Sequence, residues 1–260
     1  MKWYKKDQHF LTDKQVLKRI IEYGEIKSEE TVLEIGAGAG NLTLELAKKA
    51  EKVIAIEIDP ELATSIPVLR NVEVIMDDAL KIEFPLFNKV ISNLPYSISS
   101  PVTFKLMRHE FDFGILMYQY EFAKRMLASP GNKDYGRLSI AIQYYADVEL
   151  LEIVPRTAFS TLPEVRSAII KLTPHQPPYK VQNEAFFMRF IKAAFSQRRK
   201  KLKNAIINNA GFLGIEDDSI KELPVRMQEK RAEDLSPDEL AELADILFSR
   251  KHSKKSNKIK

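Results

Sequence analysis

An amide, a proline and an aromatic ring stand together in Asn93-Leu94-Pro95-Tyr96, directly after the apolar run Val90-Ile91 that reads as a strand end. Those residue types suit chemistry on the exocyclic amine of a flat base. An amide oxygen and a backbone carbonyl accept the amine's N–H groups, and a ring stacks on the base. Asn-x-Pro also describes ordinary turns, and Tyr96 alone would read as a half-buried aromatic packed at a strand end. The motif gains weight from a second one upstream, where Val32-Leu33-Glu34-Ile35 runs into the glycine-rich turn Gly36-Ala37-Gly38-Ala39-Gly40. Glycines at such a turn let the backbone pass close to a ligand.

The glycine spacing narrows the ligand. Gly40 follows Gly38 by two residues, whereas the dinucleotide fingerprint places its third glycine three after the second. A pyrophosphate cradle is therefore disfavoured against a looser loop around a ligand with a single carboxylate, such as S-adenosylmethionine. Glu57 closes the next strand about 20 residues on, where an acid accepts bonds from ribose hydroxyls. Asp78, in Met76-Asp77-Asp78-Ala79-Leu80, stands after a third strand where it can bond an adenine amine. The plain alternative is a tight-turn glycine cluster with two surface acids.

Strand-helix alternation must position these residues. Thr31 to Ile35, Val53 to Ile56, Val72 to Met76, Val90 to Ile91 and Phe113 to Met117 read as short buried strands. Helical patterns lie between or after them, near 42–49, 61–66, 102–107 and 122–127. The pattern predicts an α/β fold with a doubly wound, mostly parallel sheet. Apolar runs at 143–153 and 165–172, with no convincing helix between, predict an antiparallel hairpin on the sheet edge. Thr173-Pro174-His175-Gln176-Pro177-Pro178 reads as a linker, since its prolines oppose regular structure. Beyond it, Phe187, Phe190, Ile191, Ala194 and Phe195 share a helical face. Ser236 and Pro237 mark a capped helix start. The expected organisation is a main domain over residues 1–176 and a small all-α domain over 179–260.

Composition excludes several functions. The 260 residues contain 45% hydrophobic and 29% charged side chains, as expected for a folded protein. There is no cysteine, and His9, His109, His175 and His252 show no metal-ligand spacing, so no metal is expected. No apolar run approaches a membrane span and no signal-peptide core opens the chain, so a cytoplasmic protein is expected. Net charge is only +4, but Arg198-Arg199-Lys200-Lys201-Leu202-Lys203 and the tail from Arg250 to Lys260 concentrate positive charge. Arg198, Arg199 and Lys200 are candidate phosphate contacts; the alternative is a solvated face of an amphipathic helix.

With these residues in hand, the chain resembles the ribosomal RNA adenine dimethyltransferases, over nearly its whole length. The resemblance is carried by Gln8-His9-Phe10-Leu11-Thr12-Asp13, the Glu34-to-Thr43 loop, Glu57-Ile58-Asp59, Asp78-Ala79 and Asn93-Leu94-Pro95-Tyr96. Further matches are Gly136-Arg137-Leu138-Ser139, Val165-x-Ser167-Ala168, Phe195-x-x-Arg198-Arg199-Lys200 and Arg231-Ala232-Glu233-x-Leu235-Ser236. It implies a Rossmann-like class I methyltransferase sheet, S-adenosylmethionine as cofactor, and cofactor contacts at His9, Leu11, Gly36, Glu57, Asp78 and Asn93, to which the spacing adds Gly38. The implied catalytic loop is Asn93, Leu94, Pro95 and Tyr96. Tyr96 would stack on one face of a flipped base and Phe159 on the other, the plain alternative for Phe159 being a packed, half-buried aromatic.

The implied substrate is small-subunit rRNA or a precursor of the small ribosomal subunit; a monomer is expected, since the basic surfaces suit RNA. Three departures from the family stand out. Asp7 replaces the usual glycine. The loop Phe159-Ser160-Thr161-Leu162-Pro163-Glu164-Val165-Arg166-Ser167 lacks two of the family's prolines and has Arg166 where an acid is usual. The basic tail after Arg250 lies outside the common core. Three rival readings remain: a non-catalytic ribosome-assembly factor, a large-subunit resistance-type adenine methylase, and a nicotinamide-dependent dehydrogenase. The last is disfavoured by the glycine spacing and by the lack of a plausible proton donor.

Overall fold

The computed structural model describes residues 9–257, with side chains through 250. Asp7, Gln8 and residues 258–260 therefore fall outside the described residues, as do the side chains of the basic tail after Arg250. Seven strands form one mixed sheet: β1 (Thr31–Ile35), β2 (Lys52–Ile56), β3 (Val72–Ile75), β4 (Lys89–Asn93), β5 (Phe113–Gln119), β6 (Ala146–Val154) and β7 (Ser167–Pro174). Their order is β3-β2-β1-β4-β5-β7-β6. The first five are parallel, and the β6–β7 hairpin joins antiparallel to β5 through β7. The doubly wound sheet with an edge hairpin is as expected.

Helices α1 (Lys14–Tyr23), α2 (Asn41–Ala47), α3 (Pro60–Ala63), α4 (Ser99–Leu106) and α5 (Tyr120–Leu127) accompany the first five strands. The amphipathic α1 was not expected from the sequence. Asp13 caps it, its Oδ1 accepting from the N–H groups of Gln15 (2.8 Å) and Val16 (3.2 Å). Val16, Leu17 and Ile20 are then buried with Leu42, Leu46, Val53 and Ile91.

The sequence of turns in the sheet dictates where a ligand can sit. Strand order reverses between β1 and β4, the point at which open α/β sheets bind ligands beyond their carboxyl ends. Here β1 and β4 pair only at Val32–Lys89 and Leu33–Val90. Beyond that register the Ser92 hydroxyl replaces the ladder, accepting from Ile35 N–H (3.1 Å) and donating to Ile35 O (2.5 Å). The strands can therefore diverge without orphaning buried backbone groups.

Two expectations are corrected. The run from Gln143 is not all strand, because Gln143 ends helix α6 (Arg137–Gln143) and β6 starts at Ala146. The linker begins at His175, because β7 continues to Pro174, paired with Ala146. A proline is tolerated at that terminal position, where no further ladder donor is needed.

The chain divides into two compact units, residues 1–123 with 146–175 and residues 124–145 with 176–260. A single boundary near 176–179 is thus too simple, because 124–145 packs with the C-terminal helices. The second unit contains α6, α7 (Glu184–Ala194), α8 (Leu202–Ile207), α9 (Ala210–Leu213), α10 (Val225–Gln228) and α11 (Pro237–Asn257). Its core joins Tyr135, Ile140 and Tyr144 to Phe186, Phe187, Phe190 and Leu243. Ser236 and Glu239 cap α11 reciprocally (3.1 and 2.9 Å).

Candidate active site

A single pocket gathers the glycine turn, Glu57, Asp78 and the Asn93–Tyr96 loop at the carboxyl ends of the central strands. Gly36 and Gly38 take left-handed backbone angles, with φ of 76° and 58°. At Gly36 a side chain is excluded twice over, since a Cβ would lie 2.7 Å from Pro95 Cδ and 2.8 Å from its Cγ. The glycine turn and the proline of the second motif are therefore in mutual contact, so one sets the position of the other.

Glu57 is 6% exposed and organises this turn. One carboxylate oxygen accepts from Gly38 N–H (2.7 Å) and the other from Asp59 N–H (2.8 Å). Each oxygen keeps a lone pair for a ligand hydroxyl. Asp78 Oδ1 accepts from Leu80 N–H (2.9 Å), and its other oxygen faces Lys81 Nζ at 3.4 Å.

Glu57, Asp77 and Asp78 line the pocket as carboxylates, Glu34 adds a buried carboxyl, and among the described residues no lysine or arginine lines it. Such a lining repels polyphosphates and favours a ligand carrying positive charge, such as a sulfonium with an ammonium group. The residues present thus fit S-adenosylmethionine and do not fit a dinucleotide pyrophosphate.

An N-terminal strap borders the same pocket. Leu11 bridges antiparallel to Phe159, Ser160 N–H donates to Phe10 O (2.9 Å), and Thr12 and Asp13 N–H groups donate to Ala158 O. Asn41 Nδ2 donates to Leu11 O (3.0 Å), and Asn93 Nδ2 donates to His9 O (3.1 Å). The second bond uses the amide's donor and leaves Asn93 Oδ1 as its acceptor. His9 Nδ1 meets Thr161 O at 3.0 Å, and the His9 ring lies 5.5 Å from the Tyr96 ring, tilted by 36°. Tyr96 is oriented through its hydroxyl, 2.6 Å from Ser167 Oγ on β7.

Two sequence-based site assignments are corrected. Phe159 is 4% exposed and packed with Leu11, Val16 and Leu17, so its ring is not available to a base. The bridge to Leu11 turns this side chain into the core. Arg198 Nη2 donates to Lys133 O (2.7 Å), Tyr135 O (2.9 Å) and Glu233 (3.0 Å), a tie within the helical unit. Arg198–Lys200 lie in a turn between α7 and α8, not on an amphipathic helix face, and Arg199 and Lys200 are exposed. Lys201 and Lys203 both bind Glu229 (2.5 Å each). We expect Arg198→Ala to lower the stability of the protein by about 0.5–1.5 kcal/mol, the net scale of intramolecular hydrogen bonds at a half-exposed site. Arg199→Ala should leave it within about 0.5 kcal/mol. Thermal unfolding of the two variants side by side checks this.

Glu34 is the residue that sequence reasoning quoted without assigning a role; the available signal was an acid inside an otherwise apolar strand. It is 2% exposed, and Thr43 donates to it at 2.6 Å. Burial pushes its carboxyl up to about 8, against the opposing Thr43 bond and with the help of the Glu57 charge. In the unfolded chain the same group titrates near 4.3. Folding therefore takes up a proton between those values. Glu34's contribution to stability is complete below about pH 4 and is lost as pH rises through about 8. Denaturant titrations from pH 5 to 9 are expected to show that decline, and Glu34→Gln to flatten it.

The family model described as ribosomal RNA adenine dimethylase matches residues 3–248. The chain belongs to the ribosomal RNA adenine dimethylase family. It is 53% identical over 251 residues to a probable ribosomal RNA small subunit methyltransferase A of Methanosarcina mazei, covering 94% of this chain and 93% of that protein. A dimethyladenosine transferase from Plasmodium falciparum superposes with a TM-score of 0.78 at 34% identity, covering 94% and 98% of the two chains. The 23S rRNA methyltransferase ErmE gives 0.63 at 26% identity, covering 92% and 99%. This member of the dimethylase family is a methyltransferase with the Rossmann-like fold of its class.

Proposed function

We propose that the protein uses S-adenosylmethionine to dimethylate the exocyclic amines of two adjacent adenosines in small-subunit rRNA, during ribosome biogenesis. The observation that carries this reading is the Asn93 amide. Its donor is occupied by His9 O and its acceptor remains at a carboxylate-lined pocket to which, among the described residues, no lysine or arginine contributes. The high identity to the Methanosarcina protein, whose name specifies the small subunit, supports that subunit over the large one named for ErmE.

When bound, the cofactor supplies an electrophilic methyl group on its sulfonium. Asn93 Oδ1 and the Leu94 carbonyl accept the two N–H bonds of the adenosine amine. That favours a more tetrahedral nitrogen and the positive charge that develops on it. No strong base is needed, since the proton becomes acidic only after transfer. Tyr96, fixed by Ser167, stacks on the flipped base, worth about 1–3 kcal/mol. Pro95, wedged against Gly36, holds this loop in register with the cofactor turn. Glu57 accepts from ribose hydroxyls, Asp78 bonds the cofactor's adenine amine, and His9, Leu11, Gly36 and Gly38 enclose the rest. A flipped base must come from a loop or single strand. The helical unit, through Arg199 and Lys200, contacts phosphates.

Transfer of labelled methyl groups to small subunits lacking the modification, with large-subunit RNA alongside, tests this reading. Dimethyladenosine in small subunits alone is the expected product. Product only in large-subunit RNA would overturn the substrate assignment. Transfer to neither RNA would overturn the catalytic reading.

A further inference from the structure

The loop that departs from its family at Arg166 also carries an exposed cation, next in sequence to the Ser167 that anchors Tyr96. Tyr120 N–H donates to Arg166 O (2.9 Å), and the Arg166 guanidinium carbon lies 4.8 Å from the Tyr120 ring centroid. Arg166 is exposed, and among the described residues no carboxylate pairs with it. A guanidinium on an aromatic face is oriented by cation–π attraction while its edge stays open to a second partner.

Its place on the sheet makes that partner predictable. Asn93 pairs with Met117 of β5, and Gln119 of β5 pairs with Ser167 of β7. Ser167, next in sequence to Arg166, is the residue whose hydroxyl holds the Tyr96 ring. Two strand spacings and a two-residue offset along the strands, about 12 Å in all, therefore separate the Asn93 and Ser167 backbones. Arg166 is not among the residues that line the cofactor pocket, so this cation does not serve the cofactor. It serves a polyanion arriving at the rim.

We propose that Arg166, held on Tyr120, binds a backbone phosphate of the RNA strand that carries the target adenosine. The proposal rests on the RNA-methylating reading above. It makes the departure at Arg166 a gain in affinity at the site itself, separate from the cations of the helical unit. The acid expected there would repel the same phosphate.

Equilibrium binding of transcribed small-subunit rRNA to the full chain, measured between 50 and 200 mM salt, tests it. Arg166→Ala should weaken binding roughly three- to tenfold and reduce the slope of log affinity against log salt by about 0.7–0.9, one phosphate's share. S-adenosylmethionine affinity should stay within about twofold, since Arg166 does not line that pocket. In methyl transfer the loss should fall on KM and leave kcat nearly unchanged. Arg166→Lys, which keeps the charge, should restore most of the slope. An unchanged slope in Arg166→Ala, or a slope that lysine does not restore, overturns the proposal. Failure of the wild type to methylate RNA while binding cofactor would instead defeat the functional reading on which it rests.

Discussion

Asn93→Ala is expected to reduce methyl transfer by at least 100- to 1,000-fold, the cost of removing one preorganised acceptor or donor at a developing charge. The substitution removes the only side-chain acceptor that the Asn93–Tyr96 loop offers to the amine. It also frees His9 O, whose bond from Asn93 Nδ2 helps hold the N-terminal strap (3.1 Å). A modest loss of cofactor affinity should accompany the larger loss in kcat. Single-turnover transfer with saturating cofactor separates the two. A kcat within tenfold of wild type would remove Asn93 from the chemistry.

Gly36→Ala should be nearly as damaging without touching a polar group. At φ of 76° an alanine is strained by about 1–2 kcal/mol. Its Cβ would also meet Pro95 Cδ and Cγ at 2.7 and 2.8 Å. A pyrrolidine ring is tied to its own backbone and cannot swing aside, so relief requires moving the Asn93–Tyr96 loop. Displacement of about 1 Å at a reacting centre can cost 100-fold. Both cofactor affinity and transfer should fall. Gly38→Ala is the informative comparison: its nearest neighbour is the rotatable Phe10 ring, at 3.0 Å, so the effect should be smaller. Cofactor titration and methyl transfer on the two variants check the ranking. Equal losses would mean that turn strain, not the contact with Pro95, is what matters.

Much of this architecture follows from local sequence pattern. Short apolar runs between helical segments dictate a parallel sheet, because its inner strands are buried on both faces; the edge strand β3, expected to be buried, is not, with Val74 37% exposed. The glycine turn and the Asn93–Tyr96 motif are legible because their backbone demands, positive φ and a rigid kink, admit few residue types. The spacing of Glu57 after the turn marks an acid at the next strand end for the same reason.

What the tertiary structure decided concerns partners far apart in the chain. The strap at His9–Asp13 has no periodic signal; it is ordered by bonds to Ala158, Phe10–Ser160 pairing, Asn41 and Asn93. That same pairing sends Phe159 inward, the packed alternative to the base-facing role that the family resemblance implied. Arg198 looked like its neighbours Arg199 and Lys200 until carbonyls at 133 and 135 and the Glu233 carboxylate claimed it. Glu34 is an ordinary acid by composition and becomes one that holds its proton to about pH 8 only because the folded sheet removes it from water. Residue type and spacing determine which backbone a segment prefers. Which side chain remains available for a ligand depends on what distant segments have already taken, and that is a property of the packed chain alone.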